Sequence, residues 1–201
     1  MSQVFRVFAF SLAIMTGLMG VAVWAKKAWS EPEASLPVLR LGGNFELQDD
    51  TGASRQLSEW RGKMVLLSFG FTHCPDICPM TLARYRAVLK ALGEDAALLQ
   101  PILISVDPAR DSGKVLGDYV RYFDPKIVGL TGSLSTLAAV ERLYGAQVVL
   151  SAPGEPVSVS HSDYLYLIDD LGRVRKLFDQ QASVAAIVQD IRVLQHEAEA
   201  R

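Results

Sequence analysis

Cysteine is scarce in this sequence: 201 residues hold two, Cys74 and Cys78. A disulfide framework of the kind that staples small secreted domains is therefore excluded, as is a four-cysteine structural zinc site. Histidine is nearly as sparse, with His73, His161 and His196. Net positive charge is also missing: Lys and Arg number 20 against 22 Asp and Glu. Three of the basic residues (Arg6, Lys26 and Lys27) lie in the first 27 positions, where no acid occurs, so the remainder carries 17 basic against 22 acidic side chains. A mildly acidic domain has no attraction for a phosphate backbone, and nucleic acid is not an expected partner. No internal repeat or low-complexity block is present. Half the residues are hydrophobic, too many for a disordered chain and enough for one domain with its own core.

The N-terminus lacks charge over a long stretch. Residues 7–25 read VFAFSLAIMTGLMGVAVWA. At about 1.5 Å of helix rise per residue, such a run nearly crosses a ~30 Å hydrocarbon core. Trp24 stands at its interfacial end, and Lys26 and Lys27 follow, as befits a membrane boundary. The reading is a membrane anchor over residues 1–27. Its rival is a cleaved signal peptide with Val23 and Ala25 at the small-residue positions. No cysteine follows the run, so a lipid-anchored form is not expected. Residues 28–36 turn small, polar and Pro-containing, which reads as a tether, and residues 37–201 read as the folded domain.

Within that domain, residues 45–57 (FELQDDTGASRQL) form two half-apolar runs around Asp50, Thr51 and Gly52, a hairpin signal. Residues 64–71 (MVLLSFGF) are nearly all apolar and read as a strand buried on both faces. A helix is expected from Pro79, carrying Leu82, Tyr85, Leu89 and Leu92 and ending at Gly93. The alternation continues with a strand at 101–106 and a helix capped by Asp111 or Ser112 with Val115, Leu116, Tyr119, Val120 and Phe123 on one face. A short strand at 127–130 precedes a helix from Ser133 with Leu134, Leu137, Val140 and Tyr144. Strands at 157–160 and 164–168 flank His161. A turn at 169–172 leads into a strand at 173–178, and a last helix runs from Ser183. Such alternation predicts an α/β fold with helices on both faces of a central sheet, whose sites gather beyond the carboxyl ends of the strands. Cys74 and Cys78 lie just past one such end.

A disulfide closing so short a loop would add little stability. A helix N-terminus favours thiolate, and two adjacent thiolates either cycle between dithiol and disulfide or hold a soft metal ion. Zinc is the weaker metal reading, because structural zinc sites use four ligands. His196 reads as solvated among acidic neighbours. His73 adjoins Cys74 and is placed to tune it or to meet a partner. His161, by spacing alone, is an ordinary surface or hydrogen-bonded histidine. Asp107, Arg110 and Asp111 read as a structural or partner-contact group, with Arg110 paired to a carboxylate. Met80 reads as core, and Phe71, Tyr164 and Tyr166 as strand packing.

Three segments together resemble the SCO/SenC family of copper proteins: FGFTHCPDICP at 69–79, SVDPARD at 105–111 and SHSDYLYLID at 160–169. The resemblance spans the domain from about Leu36. It implies a thioredoxin-like fold and one copper ion, Cu(I) or Cu(II), bound by Cys74, Cys78 and His161. It also implies a metallochaperone role in assembling the dinuclear copper site of cytochrome c oxidase. The partner would be the copper-site subunit of that enzyme, along with a periplasmic copper or thiol carrier. The alternative within the same resemblance is a thiol–disulfide oxidoreductase in which Cys74 and Cys78 are the redox pair. No long Arg- and Ser-rich transit segment is present, so the expected location is a bacterial inner membrane with the domain in the periplasm. The family commonly has an acid before the downstream histidine. Here Ser160 stands there, leaving Asp163 or a backbone carbonyl to orient the imidazole.

Overall fold

The computed structural model describes residues 35–150, 159–161 and 163–201, with side chains for 35–148 and 163–201. In chain order the elements are β1 (Glu46–Gln48), β2 (Ser54–Gln56), β3 (Met64–Gly70), α1 (Ile77–Leu92), β4 (Leu99–Ser105), α2 (Gly113–Phe123) and β5 (Val128–Leu130). They continue with α3 (Leu134–Tyr144), β6 (Val148–Leu150), β7 (Val159–His161), β8 (Leu165–Ile168), β9 (Val174–Phe178) and α4 (Val184–Glu199). The expected anchor and most of the expected tether lie outside the described residues, as do two positions of the strand expected at 157–160. No helix among the described residues is long and apolar enough to cross a membrane.

The continuous apolar run becomes β3, buried at every position, at the centre of a five-stranded sheet of order β5-β4-β3-β8-β9. β3 runs parallel to β4 and antiparallel to β8. Its alternating side chains feed two cores. Met64 and Leu66 face Leu82, Tyr85 and Leu89 of α1 and Ile187 and Ile191 of α4. Val65, Leu67 and Phe69 face Leu137, Val140 and Tyr144 of α3 and Phe45 beside the hairpin. Phe69, Tyr144 and Tyr166 meet edge-on, with centroids 5.5–6.0 Å apart, a geometry that adds about 0.5–1.5 kcal/mol per pair to the buried area. Helices therefore cover both faces, as the alternation predicts.

Local signals hold where they depend on local chemistry. Ser112, Ser133 and Ser183 each accept a backbone N–H three residues on, and Gly145 ends α3 with φ 64°. The hairpin turns through Gly52 with φ 81°. Three expectations need correcting. α1 begins at Ile77, two residues before Pro79, so Cys78 belongs to its first turn. Proline fits there because the first turn's N–H groups have no intrahelical acceptor. Leu134 is 60 % exposed, being the first residue of α3, a turn ahead of the buried stripe. Val115 is exposed as well, one position off the stripe of Leu116 and Val120. β6, absent from the sequence reading, pairs antiparallel with β7 and sets Val148 opposite His161.

Candidate functional site

β3 ends at Gly70, and residues 71–76 loop to α1, with the Cys74 N–H donating to the Phe71 carbonyl at 3.3 Å. Cys78, in the first turn of α1, reaches back under this loop. Its Sγ accepts the Phe71 N–H at 3.5 Å, and it packs where Gly70 has no side chain. Cys78 is 2 % exposed, whereas Cys74 is half-buried. Both are thiols, and their side chains are hydrogen-bond neighbours.

Burial pushes the Cys78 thiol far up, against the Phe71 N–H that lowers it, and Cys74 and the charge of Asp163 add to the rise. This corrects the expectation that the helix N-terminus would leave Cys78 as thiolate: desolvation of the anion outweighs the helix end. The proton leaves readily only when another positive charge replaces it, as in metal binding.

The loop is fixed by Asp111, a residue whose place in the sequence suggests a helix cap or a partner contact. Asp111 is fully buried and accepts from the Thr72 N–H at 2.9 Å, the Thr72 hydroxyl at 2.5 Å and the Ser105 hydroxyl at 2.6 Å. Its carboxylate thereby ties the Cys loop to the end of β4. Thr72 and Ser105 went unnoticed in the sequence, although both lie in the motif segments. Arg110 pairs with Asp107 as expected, and its guanidinium lies 5.7 Å from the Phe71 ring centroid, a cation–π distance. His73 is exposed, with Nδ1 2.9 Å from the Thr72 hydroxyl and 3.8 Å from Asp111.

The structure brings Cys74 and Cys78 together. It places His161 by its backbone alone, in β7, and the imidazole lies outside the described side chains. Among the described residues no group of three His, Cys, Asp or Glu is gathered as a metal site. His196 is exposed near Glu199 on α4. Met80 is 54 % exposed, correcting its assignment to the core: the buried stripe of α1 runs through Cys78, Thr81, Leu82 and Tyr85, and Met80 falls off it. Phe71 and Tyr166 are packed as expected, while Tyr164 is partly exposed. With Asp163, Asp179, Gln180 and Gln181 it lines an open cleft of ≈ 420 Å³. Gln180 donates to the Asp163 carbonyl at 3.2 Å.

Two adjacent sulfurs, one buried and one accessible, suit a soft cation or a reversible disulfide. The SCO1/SenC family pattern matches residues 33–196. A SCO2-like protein of Rickettsia prowazekii is 33 % identical over 190 residues, which cover 89 % of this chain and 93 % of that protein. The structure of Bradyrhizobium japonicum ScoI with copper bound superposes with a TM-score of 0.70 at 33 % identity, covering 77 % of this chain and 99 % of that one. BsSco, described as having a disulfide switch and as a member of the Sco family of cytochrome c oxidase assembly proteins, gives a TM-score of 0.65 at 25 % identity, covering 80 % and 98 %.

Proposed function

The chain belongs to the SCO1/SenC family, and from that premise we propose that it is a copper metallochaperone that takes one copper ion as cargo on Cys74, Cys78 and His161. Its role is to assist assembly of the dinuclear copper site of cytochrome c oxidase, with the copper-site subunit of that enzyme as partner. The observation that carries the reading is the Cys74–Cys78 pair at the end of β3, with Cys78 buried under the Phe71 N–H.

The donor set fits the cargo. Cu(I) is soft and prefers thiolates, and an imidazole completes a three-coordinate site. Loading exchanges the Cys78 proton for a cation, which removes the desolvation cost that holds this sulfur protonated. The Phe71 N–H then donates to a charged sulfur, a stronger bond than to a thiol. Cys74, half-buried, is the accessible side from which the cargo is exchanged. Residues 1–27 act as the anchor and 28–36 as the tether, holding the domain of residues 37–201 on the periplasmic face of a bacterial inner membrane. The uncharged run at 7–25 supports this.

The contact between the two thiols favours one second reading. In it, Cys74 and Cys78 are oxidised to a disulfide and give two electrons and two protons to a disulfide of the target site, which leaves as two thiols. His161 is dispensable in that reaction.

An anaerobic Cu(I) titration of the reduced full chain against a competing chelator, beside His161→Ala and Cys74→Ser, separates the two. One tightly held copper in wild type and a loss of roughly 100-fold or more in both variants is expected, since even outer-shell changes reach that size. Binding indifferent to His161 would discard the three-ligand site and favour the thiol reading.

A further inference from the structure

His73 stands at the mouth of the Cys loop, outside the three-ligand set. The bond from the Cys74 N–H to the Phe71 carbonyl closes a turn over residues 71–74, which puts His73 at an outer corner, one residue before Cys74. Its side chain is 53 % exposed, while Cys74 is half-buried and Cys78 almost wholly buried. His73 is thus the most open nitrogen or sulfur donor of the loop. Its ring is also oriented. Asp111 Oδ1 accepts the Thr72 hydroxyl at 2.5 Å, which commits the single hydrogen of that hydroxyl. The Thr72 oxygen lies 2.9 Å from His73 Nδ1, so there it is the acceptor and Nδ1 carries the hydrogen. Nε2 is the nitrogen left to bind a metal. The base of this chain of bonds is rigid, because Asp111 is buried and also holds the Ser105 hydroxyl and the Thr72 N–H. A carboxylate acting on the other ring N–H is what orients metal-binding histidines, and here the Thr72 hydroxyl stands between the two.

We propose that His73 Nε2 is the entry ligand for the cargo: it bonds an incoming cuprous ion first and passes it to Cys74. The inference rests on the copper reading of the Cys pair. An ion moves between two sites by gaining a ligand from the new one before it has lost all those of the old, and imidazole is a ligand that copper accepts. In the first step a Cu–N bond to His73 forms as one ligand of the donor leaves. In the second a Cu–S bond to Cys74 forms, the thiol proton goes to water and the Cu–N bond breaks. Copper stays Cu(I) throughout. The Cα atoms of His73 and Cys74 are about 3.8 Å apart, so the ion is handed on within one turn. Because His73 holds the ion only in passing, it sets the rate of loading and not the final affinity.

His73→Phe keeps a flat ring at an exposed position and removes both nitrogens. Thr72→Val removes the acceptor for Nδ1–H and keeps the backbone N–H on Asp111. Met80→Leu is the control: it removes an exposed soft donor two residues past Cys78. The reduced, metal-free full chain is mixed with Cu(I) carried by a chelator, and loading is followed by stopped flow over a range of chain concentrations. In wild type the rate should rise with chain concentration. In His73→Phe it should fall about tenfold, equivalent to about 1.4 kcal/mol of barrier, with the equilibrium Cu(I) affinity unchanged. Thr72→Val should load at a rate between the two, again with unchanged affinity, and Met80→Leu should load as wild type does. A wild-type chain that loads copper beside a His73→Phe chain of equal rate overturns this inference alone. So does a rate independent of chain concentration, an affinity lost in step with the rate, or an equal slowing in Met80→Leu. A Thr72→Val chain as fast as wild type overturns the orienting role of Thr72. A wild-type chain that takes up no copper overturns both this inference and the reading beneath it.

Discussion

The Sγ of Cys78 lies 2.9 Å from the place a Cβ on Gly70 would occupy, and a Leu103 methyl lies 3.0 Å from the same place. Gly70 is required for space rather than for conformation: it is absent from the glycines with positive φ. The last residue of the central strand is thus a socket for the buried sulfur. This links the hydrophobic run of β3 to the chemistry of the loop that follows it.

Gly70→Ala is therefore expected to cost about 1–3 kcal/mol, as overpacking does in a dense core, and to weaken Cu(I) binding by displacing Cys78. Gly52→Ala is the contrast. Its added Cβ meets open space, but its φ of 81° is strained for alanine, so it costs about 1–2 kcal/mol and leaves copper binding unchanged. Urea unfolding together with a chelator competition on both variants tests the pair. Equal copper affinities in the two would refute the socket.

Asp111→Asn addresses the loop. The carboxylate accepts three hydrogen bonds, and an amide puts an NH2 against one of those donors. A stability loss of about 1–3 kcal/mol is expected, with faster hydrogen exchange at the Thr72 amide. Unchanged exchange at Thr72 would show that the loop is held by other contacts.

The parts of this fold that were legible in sequence are those set by neighbours in the chain. β3 showed in its apolar run, three helix starts in Ser112, Ser133 and Ser183, and the end of α1 in Gly93. Other parts depend on contacts made at a distance. Thr72 and Asp111 are 39 positions apart, and nothing in either segment announces that one carboxylate holds both strand ends. The start of α1 was misplaced by two residues because Pro79 is acceptable at several first-turn positions. The earlier start puts Cys78 inside the helix, while Met80 lies off the stripe of Leu82, Tyr85 and Leu89 wherever the helix begins. Met80→Gln is accordingly expected to change stability by no more than about 0.5 kcal/mol, measured by urea unfolding, and a loss of 2 kcal/mol or more would restore it to the core. The Cys pair stood out through composition and spacing. His161 stood out only through family resemblance, since no spacing rule connects it to a loop 83 positions away.

Acid should weaken the fold at the β1–β2 hairpin. Asp49 is buried at the turn, which raises its carboxyl. Hydrogen bonds from the Thr51 hydroxyl, Arg55, and the Thr51 and Ala53 N–H groups outweigh this and hold it at about 2. The unfolded carboxyl titrates near ~3.9. A folded value below the unfolded one means that the stabilisation is complete above about pH 4 and is lost as pH falls towards about 2. With solvent screening at the half-exposed Arg55, about 1–2 kcal/mol is at stake. In urea unfolding at pH 6, 4, 3 and 2.5, Asp49→Asn should be the less stable chain at pH 6 and converge on wild type at the acid end. A gap that stays constant with pH would place the effect in packing instead.

Arg175 closes the domain where the chain enters it. Its side chain is 4 % exposed and pairs with Asp169 at 3.0 Å and Glu197 at 2.7 Å, and its Nε donates to the Leu36 carbonyl at 3.0 Å. The Leu36 N–H donates in turn to Glu197 at 3.1 Å. One guanidinium thus joins β9, the turn after β8, α4 and the first residues of the domain. Removing one partner of a buried pair costs about 3–5 kcal/mol, because the other charge stays buried. Here Asp169 keeps Arg173 at 2.7 Å, and Glu197 is partly exposed and can hydrate. Arg175→Met should therefore cost about 3 kcal/mol, the low end of that range. Glu197→Gln keeps an oxygen for Leu36 but turns an NH2 donor towards Arg175 in place of the second oxygen, so about 1–2 kcal/mol is expected. With the guanidinium gone from the Leu36 carbonyl in Arg175→Met and only the Leu36 N–H still held by Glu197, the segment at residue 36 should be cleaved by a protease well before the domain unfolds. A variant within 1 kcal/mol of wild type, with cleavage at residue 36 unchanged, would mean that apolar packing of Leu36 and not the guanidinium holds this end of the domain.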